Sequence, residues 1–265
     1  MKLCQKYPLI VVLFVLLSGA VHAEDFNSLL NSKTEALYKN SFECHRTESG
    51  ETHIMNSRDA SLCDSALELL AKGASLERPL KSGELPLHFA CRIGSLPLAK
   101  LFLENVANPN GQDRDGATAL HYLCKRKIQG YPERNIQLAS LLLKKGADVE
   151  AETISGVTPL HVVFGPIGRG SSSAIELAKL LLQSGADPNR KNFCCGMTPL
   201  HLAVSFCGPE ALRLVLNYGG KPSIQNSSEM TSFDIASMRR DEEILEVLGA
   251  SNPEQNSSNS TGEEE

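Results

Sequence analysis

The chain has 265 residues, with 26 basic and 31 acidic side chains and a formal net charge of −5 at pH 7. This balance argues against a general binder of nucleic acids or anionic membranes, because such a protein would carry a broad basic field. The sequence contains no tryptophan and only 5% aromatic residues, which argues against a large apolar ligand pocket.

The first predicted element is a signal peptide at residues 1–23. Lys2 and Lys6 precede a short apolar run, and the small residues that end at Ala23 suit signal peptidase. The run is shorter than the ~20 residues that a membrane-spanning helix needs, so cleavage is favoured over a stable membrane anchor. The compact signal is typical of bacteria and predicts a periplasmic or secreted protein, with a eukaryotic secretory route as the alternative. Removal of the two lysines leaves 24 basic and 31 acidic side chains, a net charge of −7.

The next segments predict the start of the folded region. Residues 24–51 form an N-terminal capping segment, with an amphipathic helix predicted at 26–40. Residues 52–83 predict an irregular helix pair, with a first helix near 52–59 and a leucine-containing second helix. These segments are expected to cover the otherwise exposed N-terminal end of the helices predicted after residue 83.

Four related phrases then recur along the chain, and their histidines are separated by steps of 33, 40 and 40. Each phrase predicts the start of a first helix: threonine can cap it, proline is tolerated in the first turn, and leucine enters the core. A leucine-rich second helix follows, and a glycine is predicted to end it in the left-handed conformation. The phrases are Leu85-Pro86-Leu87-His88, Thr118-Ala119-Leu120-His121, Thr158-Pro159-Leu160-His161 and Thr198-Pro199-Leu200-His201, and the glycines are Gly146, Gly185 and Gly219.

A period of 33 residues that carries Thr-Pro-Leu-His and small apolar residues resembles the ankyrin repeat. The resemblance covers residues 52–250. It implies an all-α solenoid of about five helix-turn-helix repeats with short hairpin loops and an N-terminal capping helix. The implied units are a degenerate repeat at 52–83, repeats at 84–116, 117–156, 157–196 and 197–229, and C-terminal capping helices at 230–250. Residues 251–265 are polar and acidic and are predicted to be disordered.

Two of the repeats are longer than the others. The step from the phrase histidine to the end of the second helix is 18 residues in the first and last regular repeats, but 25 and 24 in the middle two. We expect the extra residues to form outward loops around 125–135 and 165–173, because stacked repeats contact only their neighbours. One additional residue is expected in the hairpin near Cys194-Cys195.

The resemblance implies that a partner protein binds the concave face formed by first helices and hairpin tips. Several basic side chains are expected to converge there and to provide an electrostatic contact for an acidic partner; the alternative is a solvated loop. The candidate partner-binding residues are Lys81, Arg92, Arg114, Lys125, Arg126, Lys127, Cys194 and Cys195.

The region after residue 23 has seven cysteines, so at least one is unpaired in a monomer. Cys91 and Cys124 occupy equivalent repeat positions. Because neighbouring helix axes lie about 8–10 Å apart, beyond the ~7 Å reach of a disulfide, both are predicted to be small buried hydrophobes. Cys44 and Cys63 flank the irregular N-terminal region and are the candidate disulfide. Cys194-Cys195 leaves a vicinal bond, an exposed redox thiol and a dimer contact open.

No catalytic residue, metal site or cofactor is predicted. Four of the six histidines after residue 23 share one repeat position, and the resemblance implies a local hydrogen bond at the start of the first helix. His45 and His53 lie near Cys44 and Cys63 without a known zinc spacing. The glycine-rich stretch at 165–171 lacks the lysine and the preceding strand of a phosphate loop.

The sequence therefore predicts a non-catalytic protein–protein interaction module, exported from the cytoplasm, that binds neither nucleic acid nor a cofactor. Two alternatives remain at this point. One is a redox-active or oxidant-protective periplasmic factor that uses Cys194 and Cys195. The other is a secreted effector that acts inside another cell.

Overall fold

The computed structural model describes residues 57–71, 75–80, 82–125, 132–166 and 171–250. The predicted signal peptide, the N-terminal capping segment and the acidic tail lie outside these residues. The described part contains eleven α-helices in chain order. They are α1 Ser57–Ala71, α2 Pro86–Ile93, α3 Leu96–Glu104, α4 Ala119–Cys124, α5 Pro132–Lys144, α6 Pro159–Phe164, α7 Ser172–Gln183, α8 Pro199–Phe206, α9 Pro209–Asn217, α10 Ser232–Arg239 and α11 Glu242–Ala250.

The helices form two layers of a solenoid. The first helices α2, α4, α6, α8 and α10 each contact the next one in the series, and the second helices α1, α3, α5, α7, α9 and α11 do the same. Within each repeat the first helix contacts its own second helix. The predicted all-α solenoid of helix pairs is therefore confirmed.

Leucines at repeated positions fill the space between the two layers. Each first helix of a phrase buries the leucine before its histidine. Leu98, Leu138 and Leu177 are buried at equivalent points of their second helices, and Leu212 is buried one position later in its own helix. Burial of one such side chain stabilises the fold by about 1.5–3 kcal/mol relative to its exposure. Ala90 is completely buried, which allows neighbouring helices to approach closely.

The hydrogen bonds at the helix starts differ in detail from the sequence prediction. Thr198 caps α8 as expected, since its hydroxyl accepts the His201 N–H at 3.4 Å. At α4, the hydroxyl of Thr118 instead lies 3.0 Å from Nδ1 of His121. The same histidine nitrogen accepts the Thr118 backbone N–H at 3.1 Å, so the histidine supplies the cap from the third helical position.

The described parts of the two insertions only partly form loops. Residues 132–135 belong to α5, which begins at Pro132 and has 13 residues, compared with nine in α3. Ser172 and Ser173 likewise begin α7, since the Ser171 side chain accepts the Ala174 N–H at 3.3 Å and caps that helix. The prediction of loops around 125–135 and 165–173 is wrong for residues 132–135 and for Ser172 and Ser173, because local helix-start signals place them in helices.

The predicted boundary between a first helix near 52–59 and the following second helix is also wrong. Ser57 to Asp59 form the first turn of α1, which continues to Ala71 and contacts the second helix α3. No glycine or proline interrupts this stretch, so nothing separates the expected two helices there. Residues 52–56 lie outside the described part.

Candidate protein-binding surface

Four hairpins between repeats are each closed by one polar side chain. Oδ1 of Asp113 accepts the Ala117 N–H at 2.9 Å, and Oγ1 of Thr153 accepts the Val157 N–H at 3.1 Å. Asn192 and Asn226 take the same role in the next two hairpins. These bonds hold each hairpin in a defined shape without contributions from its outermost side chains.

The third hairpin is one residue longer than its neighbours. Its backbone closes from the Asn192 N–H to the Met197 carbonyl, five residues on, whereas the Asp113 N–H reaches the Ala117 carbonyl, four residues on. The predicted extra residue near Cys194-Cys195 is thus confirmed.

Three of these hairpins are bonded to the preceding one through their main chain. The N–H groups of Ile154, Phe193 and Ser227 donate to carbonyls of the previous hairpin at 2.9, 2.8 and 3.0 Å. These residues and Arg114 occupy the second position of their turns, and we call them the hairpin row. Ile154 is 73% exposed and Phe193 is 67% exposed. Two large apolar side chains therefore stand in solvent on neighbouring hairpins.

The four phrase histidines join adjacent repeats. In each ring Nδ1 accepts a backbone N–H at the start of its own helix, so Nε2 carries the proton and donates to a carbonyl of the segment that leads into the next first helix. The Nε2 distances are 2.8 Å for His88 to Gly111, 2.9 Å for His121 to Val157, 3.1 Å for His161 to Met197 and 3.2 Å for His201 to Met230. Burial lowers the pKa of all four rings. The predicted structural hydrogen bond is confirmed, and the ring also connects two repeats.

A groove of about 600 Å³ runs along the first helices α4, α6 and α8 beneath the hairpins. Its floor includes side chains that directly follow the phrase histidines. Its rim includes two carboxylates and one ammonium group. We call this surface the groove face; the residues that define it are Asp113, Asp115, Tyr122, Lys125, Ile154, Val162 and Leu202.

Tyr122 of the groove face is held by a ring stack and a hydrogen bond. Its ring stacks on His88 with a centroid distance of 4.9 Å, and its hydroxyl donates to Oδ2 of Asp113 at 2.8 Å. Burial and this hydrogen bond raise the pKa of Tyr122. Asp113 therefore shapes both its own hairpin and the groove floor.

The predicted basic residues lie in different surroundings. Two guanidinium nitrogens of Arg92 donate to the Glu84 carboxylate, at 2.9 and 2.8 Å, so much of its charge is compensated. Arg114 is exposed in the hairpin row, and Lys125 is exposed at the groove rim. Lys81, Arg126 and Lys127 lie outside the described residues. The convergence of all six on one face stays a prediction.

The structure also places the predicted cysteines. Cys91 and Cys124 are buried, and burial raises the pKa of both thiols, which confirms their role as core residues. Cys63 is buried in α1, while Cys44, its candidate partner, lies outside the described residues.

Cys194 is exposed at the tip of the third hairpin and Cys195 is half-buried beside it. The hydrogen bond with the Cys195 thiol raises the pKa of Cys194. A raised pKa lowers the thiolate fraction that redox chemistry requires, so this observation does not favour the redox alternative.

The described ranges also bear on metal binding and on membrane crossing. Within them, no three histidine, cysteine or acidic side chains come together as a metal site. Across the same residues, no helix combines the length and the apolar character that a membrane crossing demands.

Sequence reasoning missed the apolar part of this surface. Tyr122 and Val162 directly follow phrase histidines, and this regular position could have identified them as groove residues. Ile154 and Phe193 share a turn position with Arg114, which was selected for its charge alone. An alignment of the hairpins by the polar residue that opens each turn would have placed Ile154 and Phe193 at the position of Arg114.

The paired helices, capped hairpins and open groove define a helical-repeat binding scaffold. The family described as ankyrin repeats (3 copies) matches residues 54–153 and 169–259, well over half of the chain. The protein belongs to the ankyrin repeat family. Ankyrin repeats are protein–protein interaction modules, and the family is typically non-catalytic.

Several proteins are similar to this chain over their repeats. A putative ankyrin repeat protein L371 of Acanthamoeba polyphaga mimivirus is 29% identical over 57% of this chain and 18% of its own length. The nuclear factor NF-kappa-B p105 subunit of Mus musculus is 36% identical over 49% of this chain and 13% of its own length. A putative palmitoyltransferase ZDHHC13 of Danio rerio is 25% identical over 72% of this chain and 28% of its own length. The chain thus spans less than a third of each of these relatives.

Proposed function

We propose that this protein is an exported adaptor that holds another protein against its groove face and hairpin row. The observation that carries the proposal is the pair of exposed apolar side chains, Ile154 and Phe193, on neighbouring hairpins beside an open groove. The main chain of both residues is already fixed by bonds to the preceding hairpin. Binding of a partner to these residues would therefore cost little backbone conformational entropy in this protein.

The charged rim gives the surface a means of orienting its partner. Lys125 lies at the rim with Asp113 and Asp115, and Arg114 extends from the first hairpin of the row. We retain the proposal of an acidic patch on the partner opposite Arg114 and the run from Lys125 to Lys127. Rim charges of this kind govern association rate and orientation more than affinity.

The apolar part of the proposal is tested by crosslinked capture from the native compartment. Ile154→Asp places a charge in the contact, whereas Val106→Asp places one on a side chain that is 88% exposed at the end of α3, outside the groove face. We expect a specific partner to be captured by the wild type and by Val106→Asp, but not by Ile154→Asp. Equal capture by all three proteins would refute this surface.

The charged part needs a separate variant. Reversal of Lys125, Arg126 and Lys127 to glutamate should slow partner association while the far-ultraviolet circular dichroism spectrum stays unchanged. An unchanged association rate at low salt would dispose of the acidic-partner proposal and leave the apolar contact intact.

Export rests on residues 1–23 and is proposed from sequence alone. Fractionation of cells that produce the full chain, followed by N-terminal sequencing, tests it. Recovery of a chain that starts at Glu24 from the periplasm or medium supports export, and an uncleaved chain confined to the cytoplasm argues against it.

A further inference from the structure

The third hairpin contains two adjacent thiols in a fixed arrangement. The Sγ atoms of Cys194 and Cys195 lie 3.3 Å apart, one exposed and one half-buried. Oδ1 of Asn192 accepts both the backbone N–H and the thiol of Cys195, each at 3.3 Å, and the Met197 N–H at 3.0 Å. The buried amide that closes the turn therefore also orients the second thiol.

This separation discriminates between possible uses of the pair. A disulfide needs sulfurs about 2.05 Å apart and α-carbons at least about 4.4 Å apart, whereas adjacent α-carbons are only about 3.8 Å apart, so the vicinal bond would be strained. A tetrahedral zinc ion with bonds of about 2.3 Å needs sulfurs about 3.8 Å apart and two further ligands. In the described residues no third metal-ligating side chain joins the pair.

A centre that bonds two sulfurs at nearly a right angle fits the observed distance. Two bonds of about 2.3 Å, the length of a zinc–thiolate bond, span about 3.3 Å when the angle between them is close to 90°. A linear two-coordinate ion with the same bond length would need about 4.6 Å. Trivalent arsenic has three bonds at nearly right angles and a strong preference for sulfur.

We propose that Cys194 and Cys195 form a bidentate site for trivalent organoarsenicals, with Asn192 as the residue that positions Cys195 through the backbone N–H of Cys195. For a trivalent compound of the type R–As=O, both S–H bonds and the arsenic–oxygen double bond break and two arsenic–sulfur bonds form. The oxygen leaves with the two thiol protons as one water. Arsenic stays trivalent and no electrons are transferred, so no oxidant or reductant is consumed.

The other described cysteines give the site its selectivity. Cys91 and Cys124 are buried in the core, and Cys63 is buried in α1. The Cys207 thiol donates to the Phe164 carbonyl at 3.6 Å, at the opposite end of the first helices from the hairpins. Only the third hairpin offers two accessible thiols within the described part of the chain.

The test uses the reduced, folded full chain and phenylarsine oxide as the probe. Intact-mass spectrometry should show one adduct, heavier by one phenylarsine oxide less one water, and peptide mapping should place it on the third hairpin. A dithiol competitor should remove it, whereas an equal concentration of monothiol should not. Loss of chelation in Cys194→Ser or Cys195→Ser should weaken binding by about 10²-fold or more.

Cys207→Ser is the matched control and should bind like the wild type. Asn192→Ala should weaken binding with both thiols present, and Asn192→Asp, which keeps the acceptor oxygen, should restore it in part. The proposal is overturned if the reduced wild type forms no adduct on this hairpin. It is equally overturned if either single cysteine variant at 194 or 195 retains wild-type affinity.

Discussion

Val106 gives the sharpest test of the backbone requirements of the repeat. It follows α3 at the position where Gly146, Gly185 and Gly219 follow later second helices, and its φ of +67° lies in the left-handed region. An L-residue in this conformation costs about 1–2 kcal/mol, and a β-branched one is especially disfavoured. The side chain is 88% exposed, so little packing offsets this cost.

Val106→Gly should therefore stabilise the protein. It removes about 1–2 kcal/mol of strain, while the greater freedom of glycine in the unfolded chain takes back about 0.4–1 kcal/mol. The net gain in free energy of unfolding should be about 1 kcal/mol. Gly185→Ala is the reverse experiment: φ is +97°, and a Cβ there would meet nothing within 4 Å, so the backbone alone decides the outcome. It should lose about the same amount.

Urea denaturation followed by circular dichroism measures both changes. Val106→Ala provides the control, because it removes the β-branch but keeps an L-residue in the left-handed region, and should recover less stability than glycine. If Val106→Gly destabilised the protein as an ordinary added loop glycine would, the left-handed cap would not be under strain at this position.

Three other predictions concern the contacts between repeats. Because burial lowers the pKa of the phrase histidines, the unfolded chain binds more protons than the folded one in mildly acidic solution. The free energy of unfolding should therefore fall with acidification from about pH 7.5 to 5, and these rings should leave it unchanged between about pH 7.5 and 8. Each ring contributes at most about 1.4 kcal/mol per pH unit, and a denaturation midpoint that is constant down to about pH 5 would refute this. Gly156 has a φ of +69°, and a Cβ there would lie 2.6 Å from the Phe193 ring. Gly156→Ala should therefore lower the free energy of unfolding by about 1–3 kcal/mol, and the double variant with Phe193→Ala should recover part of that loss. Equal losses in the single and double variants would show that the ring is not the obstacle. Asn189→Ala removes hydrogen bonds to the Gly219 carbonyl at 2.9 Å and from the Lys221 N–H at 2.8 Å. It should lower the free energy of unfolding by about 1 kcal/mol, measured by thermal denaturation. Ser223→Ala, at an exposed position two residues after Lys221, is the control and should be near neutral.

Features with a local physical cause could be predicted from the sequence. The helix pairs, the left-handed glycine at Gly185 and the extra residue in the third hairpin all result from short-range patterns, and each is confirmed. Burial of Cys91 could be inferred from its place in the period, because equivalent positions of stacked repeats share an environment. Because the same sequence pattern recurs in each repeat, the same local structure can be inferred independently from several places in the chain.

Features that depend on competition between local signals were harder to predict. The insertion after α4 was expected to loop out, yet Pro132 begins α5, since proline is well suited to the first helical position. The ion pair of Arg92 with Glu84 was also missed, because the two residues are eight positions apart on different sides of a helix start. A count of charges therefore overstated how much of Arg92 is available to a partner.

The binding surface was least predictable because the scaffold does not specify it. Arg114, Ile154, Phe193 and Ser227 occupy the same turn position, and the last three make the same main-chain bond to the preceding hairpin. A cation, a branched aliphatic chain, an aromatic ring and a hydroxyl are all accepted there, so stability places little constraint on the side chain. The freedom that makes such a position uninformative about the fold is what allows it to determine which partner binds. Recognition in this protein must therefore be sought in differences between equivalent hairpin positions, since the residues that the repeats share are accounted for by the core and by the bonds between repeats.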